Sequence, residues 1–318
     1  MADSQISLVI PIYNEEDVLD ALFARLKEVL PALPPCEILF VNDGSTDGSL
    51  ARLTRFLDES PRAKVVNLSR NFGHQSALIA GLSVARGDAV ILMDGDLQDP
   101  PEVLPRMIEA WRSGAEIIVA ARKSRQERGV RRLLFSVFYK LFSYLSDFPF
   151  SVSSGIFGLM DRKAVDEMVK LEECNRYIPG LRNWIGFKTA IVWYDREERA
   201  GGSPKQDLIS LLRYGADAVF SFSYKPLRVS LLFGLGISTL SFLYAALLVI
   251  LRLLEINTVK GFTTTTVAIF FLGGLILVSN GILGEYLGRV YDEVKRRPLF
   301  IISDIVTRDA SKNASHER

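Results

Sequence analysis

The 318-residue chain has little net charge, +1 from 38 basic and 37 acidic residues. A surface so nearly balanced argues against nucleic acid as the main partner. No apolar run opens the chain, so no cleavable signal peptide is expected. No internal repeat and no low-complexity segment is visible. Cysteine is scarce: Cys36 and Cys174 are the only two. On the reducing side of a membrane they are expected to be inert thiols rather than a disulfide. What the chain has in excess is hydrophobicity. Mean hydropathy is positive, at +0.19, and the surplus sits in the last third.

The apolar surplus forms two runs, Val229–Leu251 and Val267–Leu283, the second extendable through Leu287 if Glu285 lies at an interface. Each approaches or exceeds the ~20 residues needed to cross a bilayer. Lys225 and Arg228 precede the first run, and Arg289, Lys295, Arg296 and Arg297 follow the second. The connection between them carries only Arg252 and Lys260, partly offset by Glu255. Positive-inside counting therefore places both termini in the cytoplasm. Two further stretches have a membrane-surface makeup. Arg131 to Phe142 is basic and aromatic, and Asp207 to Phe222 repeats apolar residues at helical spacing.

The first two thirds read differently. Ile6–Pro11, Glu37–Val41, Ala63–Leu68, Ala89–Leu92 and Ala115–Ala120 are continuous apolar strands alternating with helical patterns. That alternation predicts an α/β fold, a mostly parallel sheet with helices on both faces. The strand ends carry polar clusters: Tyr13-Asn14-Glu15, Asn42-Asp43-Gly44 and Asp94-Gly95-Asp96-Leu97-Gln98-Asp99. Open α/β sheets bind ligands beyond the carboxyl ends of their strands. Asp94 and Asp96 offer hard oxygen ligands there, suited to Mg²⁺ or Mn²⁺ shared with substrate phosphates.

These motifs resemble the GT-A (Rossmann-like) inverting glycosyltransferases of family 2. The resemblance rests on Val9 to Glu15, Val41 to Asp47 and Asp94 to Pro100, with support from Arg70 to Gln75 and Arg182 to Gly186. Within the family the chain looks like the polyprenyl-phosphate branch, which includes dolichol-phosphate mannose synthases and bactoprenol glucosyltransferases. The resemblance implies that Asp43 holds the nucleotide base and that Asp94 and Asp96 bind the metal bridging the diphosphate. The nucleotide-sugar site is then expected from Pro11, Tyr13, Asn14, Glu15, Asp43, Gly73, Gln75, Asp94, Gln98, Arg122, Trp184, Arg199 and Lys205. Arg128 and Arg131 are expected to join Asp94 and Asp96 in catalysis by receiving the lipid phosphate, which Arg can bind bidentately.

The implied enzyme moves a hexose, UDP-glucose being the favoured donor, onto undecaprenyl phosphate at the inner or plasma membrane. GDP-mannose, UDP-N-acetylhexosamine or a modified arabinose are the alternative donors, and a catalytically silent membrane scaffold is the alternative of another class. Partners are the nucleotide sugar, the lipid and the bilayer; a homo-oligomer is compatible with this reading. The expected divisions are a catalytic domain at 1–205, a juxtamembrane helix and linker at 206–228, two spans at 229–288 and a cytoplasmic tail at 289–318. One departure stands out. Many bacterial relatives of the family it resembles carry a carboxylate where this chain has Ile156, so no general base is assigned at that position. Asp161 is expected to be a helix N-cap rather than a substitute. Gly180 to Trp184 lacks the Gln and the adjacent Arg of processive synthases.

Overall fold

The computed structural model describes residues 5–122, 154–173, 176–194, 225–254 and 261–308. They fall into two compact units, treated separately below.

The first unit is built on one eight-stranded sheet among the described residues. In chain order its strands are β1 (Ile6–Ile12), β2 (Cys36–Asn42), β3 (Ala63–Leu68), β4 (Ala89–Leu92), β5 (Ile117–Arg122), β6 (Ser154–Asp161), β7 (Thr189–Tyr194) and β8 (Ile302–Val306). In space the order is β7-β5-β6-β4-β1-β2-β3-β8. β4, β1, β2 and β3 run parallel, as does the β5/β7 pair. β6 is antiparallel to both its neighbours, β4 and β5, and β8 is antiparallel to β3. The sheet is thus mostly parallel.

The alternation along β1 assigns its two faces. Ile6, Leu8, Ile10 and Ile12 join a core with Leu19, Leu22 and Leu26 of α1 (Glu16–Val29), Leu53 and Phe56 of α2 (Ser49–Glu59), and Met107 of α4 (Leu104–Arg112). Val9 points the other way, to α3 (His74–Val84). There an added Cβ on Gly81 would lie 2.2 Å from Val9 Cγ1, so glycine lets helix and sheet close up. Period-2 side-chain direction converts a continuous apolar run into two buried faces. α5 (Arg162–Lys170) packs on β6 and β4. Asp161 caps it, accepting the Lys163 N–H at 3.0 Å, the role expected from sequence. A short helix, α6 (Ile178–Trp184), follows.

Three strands were not foreseen. β6 inserts between β4 and the expected strand at 115–120, which starts two residues later as β5. β7 follows α6. β8 lies in the segment read as a tail, and returns to pair Asp304 with Asn67 of β3. Cys36 is free and buried, and burial pushes its thiol up to about 12, as befits an inert core residue.

The second unit contains two long helices, α7 (Lys225–Leu253) and α8 (Phe262–Lys295), packed together, with Ser230 and Ser279 hydroxyls 2.9 Å apart. Large apolar side chains such as Leu232, Leu277 and Leu287 point outward and are mostly exposed. Among the described residues one stretch, Phe271–Lys295, is long and apolar enough to cross a membrane. It extends past the expected end near residue 288. The membrane-surface stretches around 131–142 and 207–222 lie outside the described residues.

Candidate active site

The carboxyl ends of β1, β2 and β4 meet in a cleft of about 290 Å³. Pro11, Tyr13, Glu15, Asp43, Gly73, Asp94 and Asp96, all expected from sequence, line it. Ile12, Asn71, His74, Ala77 and Gly95 complete the lining.

Asn14 laces the first two loops together. It sits in the left-handed region (φ +52°), which Asn tolerates better than most residues. Its side-chain oxygen accepts the Thr46 N–H at 2.8 Å, and its own N–H donates to Ser45 Oγ at 3.1 Å. Asp43 fastens a third loop. Its two carboxylate oxygens accept the N–H groups of Phe72 (2.7 Å) and Gly73 (2.9 Å). That clamp orders the loop after β3, where the Arg70 guanidinium stacks 4.0 Å above the Phe72 ring. Burial raises the Asp43 pKa, outweighing these hydrogen bonds and the nearby charges of His74 and Arg70. Gly44 has φ +67°, and a Cβ there would come within 2.6 Å of the Arg70–Asn71 peptide. Only glycine satisfies both conditions.

The acidic turn is equally constrained. A Cβ on Gly95 would lie 2.6 Å from Ile12 Cδ1 and 3.3 Å from the Pro11 carbonyl, so glycine lets the turn rest on the end of β1. Asp96 accepts the Gln98 N–H at 3.1 Å across Leu97, which is held at φ +60°. A bulky residue in that region signals local strain at a site the surroundings over-determine. Asp94 meets His74 Nε2 at 3.0 Å. Burial would depress His74, but the hydrogen bond and charge of Asp94, helped by Asp43 and Asp96, raise its pKa.

Three parallel strands therefore aim carboxylates into one cleft. The model of Glycosyl transferase family 2 matches residues 7–169. The chain is 45% identical to an uncharacterized glycosyltransferase of Synechocystis, over 95% of each chain. The chain belongs to glycosyl transferase family 2. It is also 40% identical to a prophage-derived bactoprenol glucosyl transferase of Shigella flexneri, over 94% of this chain and 97% of that one. Among solved structures it is similar to glucosyl-3-phosphoglycerate synthase of Mycobacterium tuberculosis in complex with Mn²⁺, UDP-glucose and phosphoglyceric acid. That likeness has 20% identity over 69% of this chain and 78% of that chain, with a TM-score of 0.47.

The other residues expected for this family 2 site are placed as follows. Gln75 uses its side-chain oxygen to accept the Ile178 N–H at 3.1 Å, which ties α3 to α6. Gln98 is not in the cleft lining and meets the site only through its backbone N–H to Asp96, and Trp184 is 54% exposed at the end of α6. Arg122 ends β5. Arg128, Arg131, Arg199 and Lys205 lie outside the described residues. Two residues were quoted in motifs without a site role. His74 lines the cleft against Asp94. Arg182 is 2% exposed and donates to the carbonyls of Ile156 (3.1 Å) and Gly155, backing the start of β6. Burial lowers its pKa to about 10, and its Nε finds no hydrogen-bond partner. A charged residue in sequence looks like surface, so nothing local announced this one.

The donor set fits a divalent cation. Asp94 and Asp96 supply hard oxygens only, and no cluster of three His, Cys, Asp or Glu stands among the described residues. Mg²⁺ and Mn²⁺ accept such a half-built site when substrate phosphates complete the shell, whereas a closed structural zinc site requires four protein ligands.

Proposed function

We propose that this chain transfers glucose from UDP-glucose to a polyprenyl phosphate, undecaprenyl phosphate, with inversion at the cytoplasmic face of the inner or plasma membrane. The observation that carries this reading is the cleft lined jointly by Asp43, Asp94 and Asp96 at the ends of two parallel strands, β2 and β4. The names of relatives that match almost end to end support the lipid acceptor. The two apolar runs support a bilayer-bound enzyme, with α7 and α8 as its two spans.

In this reading Asp43 and the laced 13–15 and 43–48 loops receive the nucleotide. Asp94 and Asp96 would hold Mg²⁺ or Mn²⁺, which when bound supplies Lewis-acid neutralisation of the departing UDP. An oxygen of the lipid phosphate forms the new bond to the anomeric carbon from the face opposite UDP. The bond from that carbon to the β-phosphate oxygen breaks, and its electron pair leaves with UDP. No protein base is needed, because a phosphate monoester has a second pKa near ~6 and is largely dianionic at neutral pH. Ile156 is therefore no handicap: the acceptor has to be positioned, not deprotonated. Arg128 and Arg131 are the cations we assign to that positioning, and Arg122, Arg199 and Lys205 are the further phosphate-binding candidates.

Radiolabelled nucleotide sugars are screened against undecaprenyl phosphate, with and without EDTA. Transfer from UDP-glucose that EDTA abolishes is expected. A better turnover with GDP-mannose or a UDP-N-acetylhexosamine would reassign the donor, and no transfer with any donor would favour a silent scaffold. Arg128→Ala and Arg131→Ala are expected to raise KM for the lipid more than for the nucleotide sugar. Ile156→Asp gives at most a modest gain, and the rate climbs through pH ~6 and then levels.

A further inference from the structure

Across the carboxyl rim of the sheet, Ile12, Asn42, Asn67 and Asp304 stand in register on β1, β2, β3 and β8. The polar three form a continuous run of side-chain hydrogen bonds. Asn67 Nδ2 donates to Asp304 Oδ2 at 2.8 Å, and Asn42 Nδ2 donates to Asn67 Oδ1 at 3.0 Å. The Ser45 N–H then donates to Asn42 Oδ1 at 3.1 Å. Both asparagines are buried, at 4% and 8% exposure, so neither can turn to water for a substitute partner. From Ser45 the path continues to Asn14, through Ser45 Oγ and the Thr46 N–H.

The two ends give this run a direction. A carboxylate can only accept, and a backbone N–H can only donate. With Asp304 at one end and Ser45 N–H at the other, each amide has a single orientation that satisfies every bond. A donor at position 304 would turn Asn67 around, then Asn42, and would set an NH₂ group against the Ser45 N–H. Asp304 is itself exposed, so a Coulomb attraction for a distant ligand is not its contribution. What it contributes is the polarity of the run.

We infer that Asp304 is a positioning residue for the 43–48 turn, acting through Asn67 and Asn42, so that a strand arriving after α8 completes the nucleotide site. This rests on the reading of that turn as the nucleotide-binding loop. The full-length protein is purified, and its affinity for UDP in the presence of Mn²⁺ is measured by calorimetry. Asp304→Lys is expected to weaken UDP about ten-fold, the scale of one charge-assisted hydrogen bond. Asp304→Asn, which still accepts, stays within about three-fold. Under assay, Asp304→Lys raises KM for UDP-glucose and leaves KM for the lipid unchanged. Ile305→Lys, a new charge beside it on the same exposed strand, serves as the control and should bind UDP normally.

Equal weakening by Ile305→Lys would assign the effect to strand docking and overturn the inference. So would UDP affinity within two-fold of the parent in Asp304→Lys while Asp43→Ala loses it. Retained UDP affinity in Asp43→Ala would instead overturn the nucleotide assignment itself.

Discussion

At the scale of single residues, the cleft depends on glycines as much as on carboxylates. A methyl group at Gly44 would strike the Arg70–Asn71 backbone, and one at Gly95 the Ile12 side chain. Gly44→Ala is expected to push the 70–73 loop off Asp43, raising KM for the nucleotide sugar at least about ten-fold with a smaller change in kcat. Steady-state kinetics in both substrates check it; an unchanged KM would show that the loop has room to yield. Asp96→Ala should abolish transfer while the protein stays folded and membrane-bound, and near-normal activity under limiting Mg²⁺ or Mn²⁺ would sink the metal assignment.

The three aspartates were legible because strand, turn and acid follow one another within a few residues. His74 and Asn71 stood in a quoted motif beside the expected Gly73 and Gln75, but their place in the cleft depends on the loop after β3 folding back onto Asp43. That is tertiary information, absent from any local pattern.

At the scale of elements, the opposite edge of the sheet is fixed by another buried carboxylate. Glu37, the second residue of β2, accepts from Ser7 Oγ (2.6 Å), the Arg86 N–H (2.8 Å) and Lys64 Nζ (2.8 Å). Ser7 Oγ accepts in turn from the Gly87 N–H at 2.8 Å, so the entries to β1, β2, β3 and β4 share one knot. Burial alone would raise the Glu37 pKa, but the bonds from Lys64, Ser7 and Arg86 outweigh it and hold it below the usual carboxylate value. A folded pKa below the unfolded one stabilises the fold above the unfolded value, and that contribution fades as pH falls through the folded one. Glu37→Gln should therefore lose about 2 kcal/mol at neutral pH, with the two melting curves converging in acid. A constant gap across pH would show that shape rather than charge is at stake.

Parallel strands β1 to β4 could be read from apolar runs and intervening helices. The place of β6 could not, because strand order in space is not sequence order. Its composition, Ser154 to Asp161 with two glycines, lacks the continuous apolar character of its neighbours.

At the scale of the whole molecule, the proposed topology makes a simple prediction. Cysteine labels near residue 258 should react with an impermeant reagent from outside the cell, and labels at 125 and 312 should not. Protection of the 258 site in intact cells would point to helices that do not cross. Native Cys36 is buried and stays silent in such an experiment. Hydropathy and flanking charge are summed over long windows, and among the described residues one stretch, Phe271–Lys295, is long and apolar enough to cross a membrane. The sequence was a poor guide to β8, a short run whose partner lies far away along the chain, Asn67 meeting Asp304 across 237 positions.

That separation has a consequence for how the protein is made. Ribosomes deliver the chain from its N-terminus, and domains fold as they emerge. The sheet can assemble from β1 to β7 early, but the edge of β3 stays unpaired until everything through residue 306 has been synthesised. An open parallel edge is a template for other strands. A nascent or truncated chain stopping at residue 296 should thus pair with itself or with chaperones at β3, and its sedimentation should shift accordingly. Emergence of β8, rather than of the catalytic residues, then sets the moment at which the sheet edge is sealed.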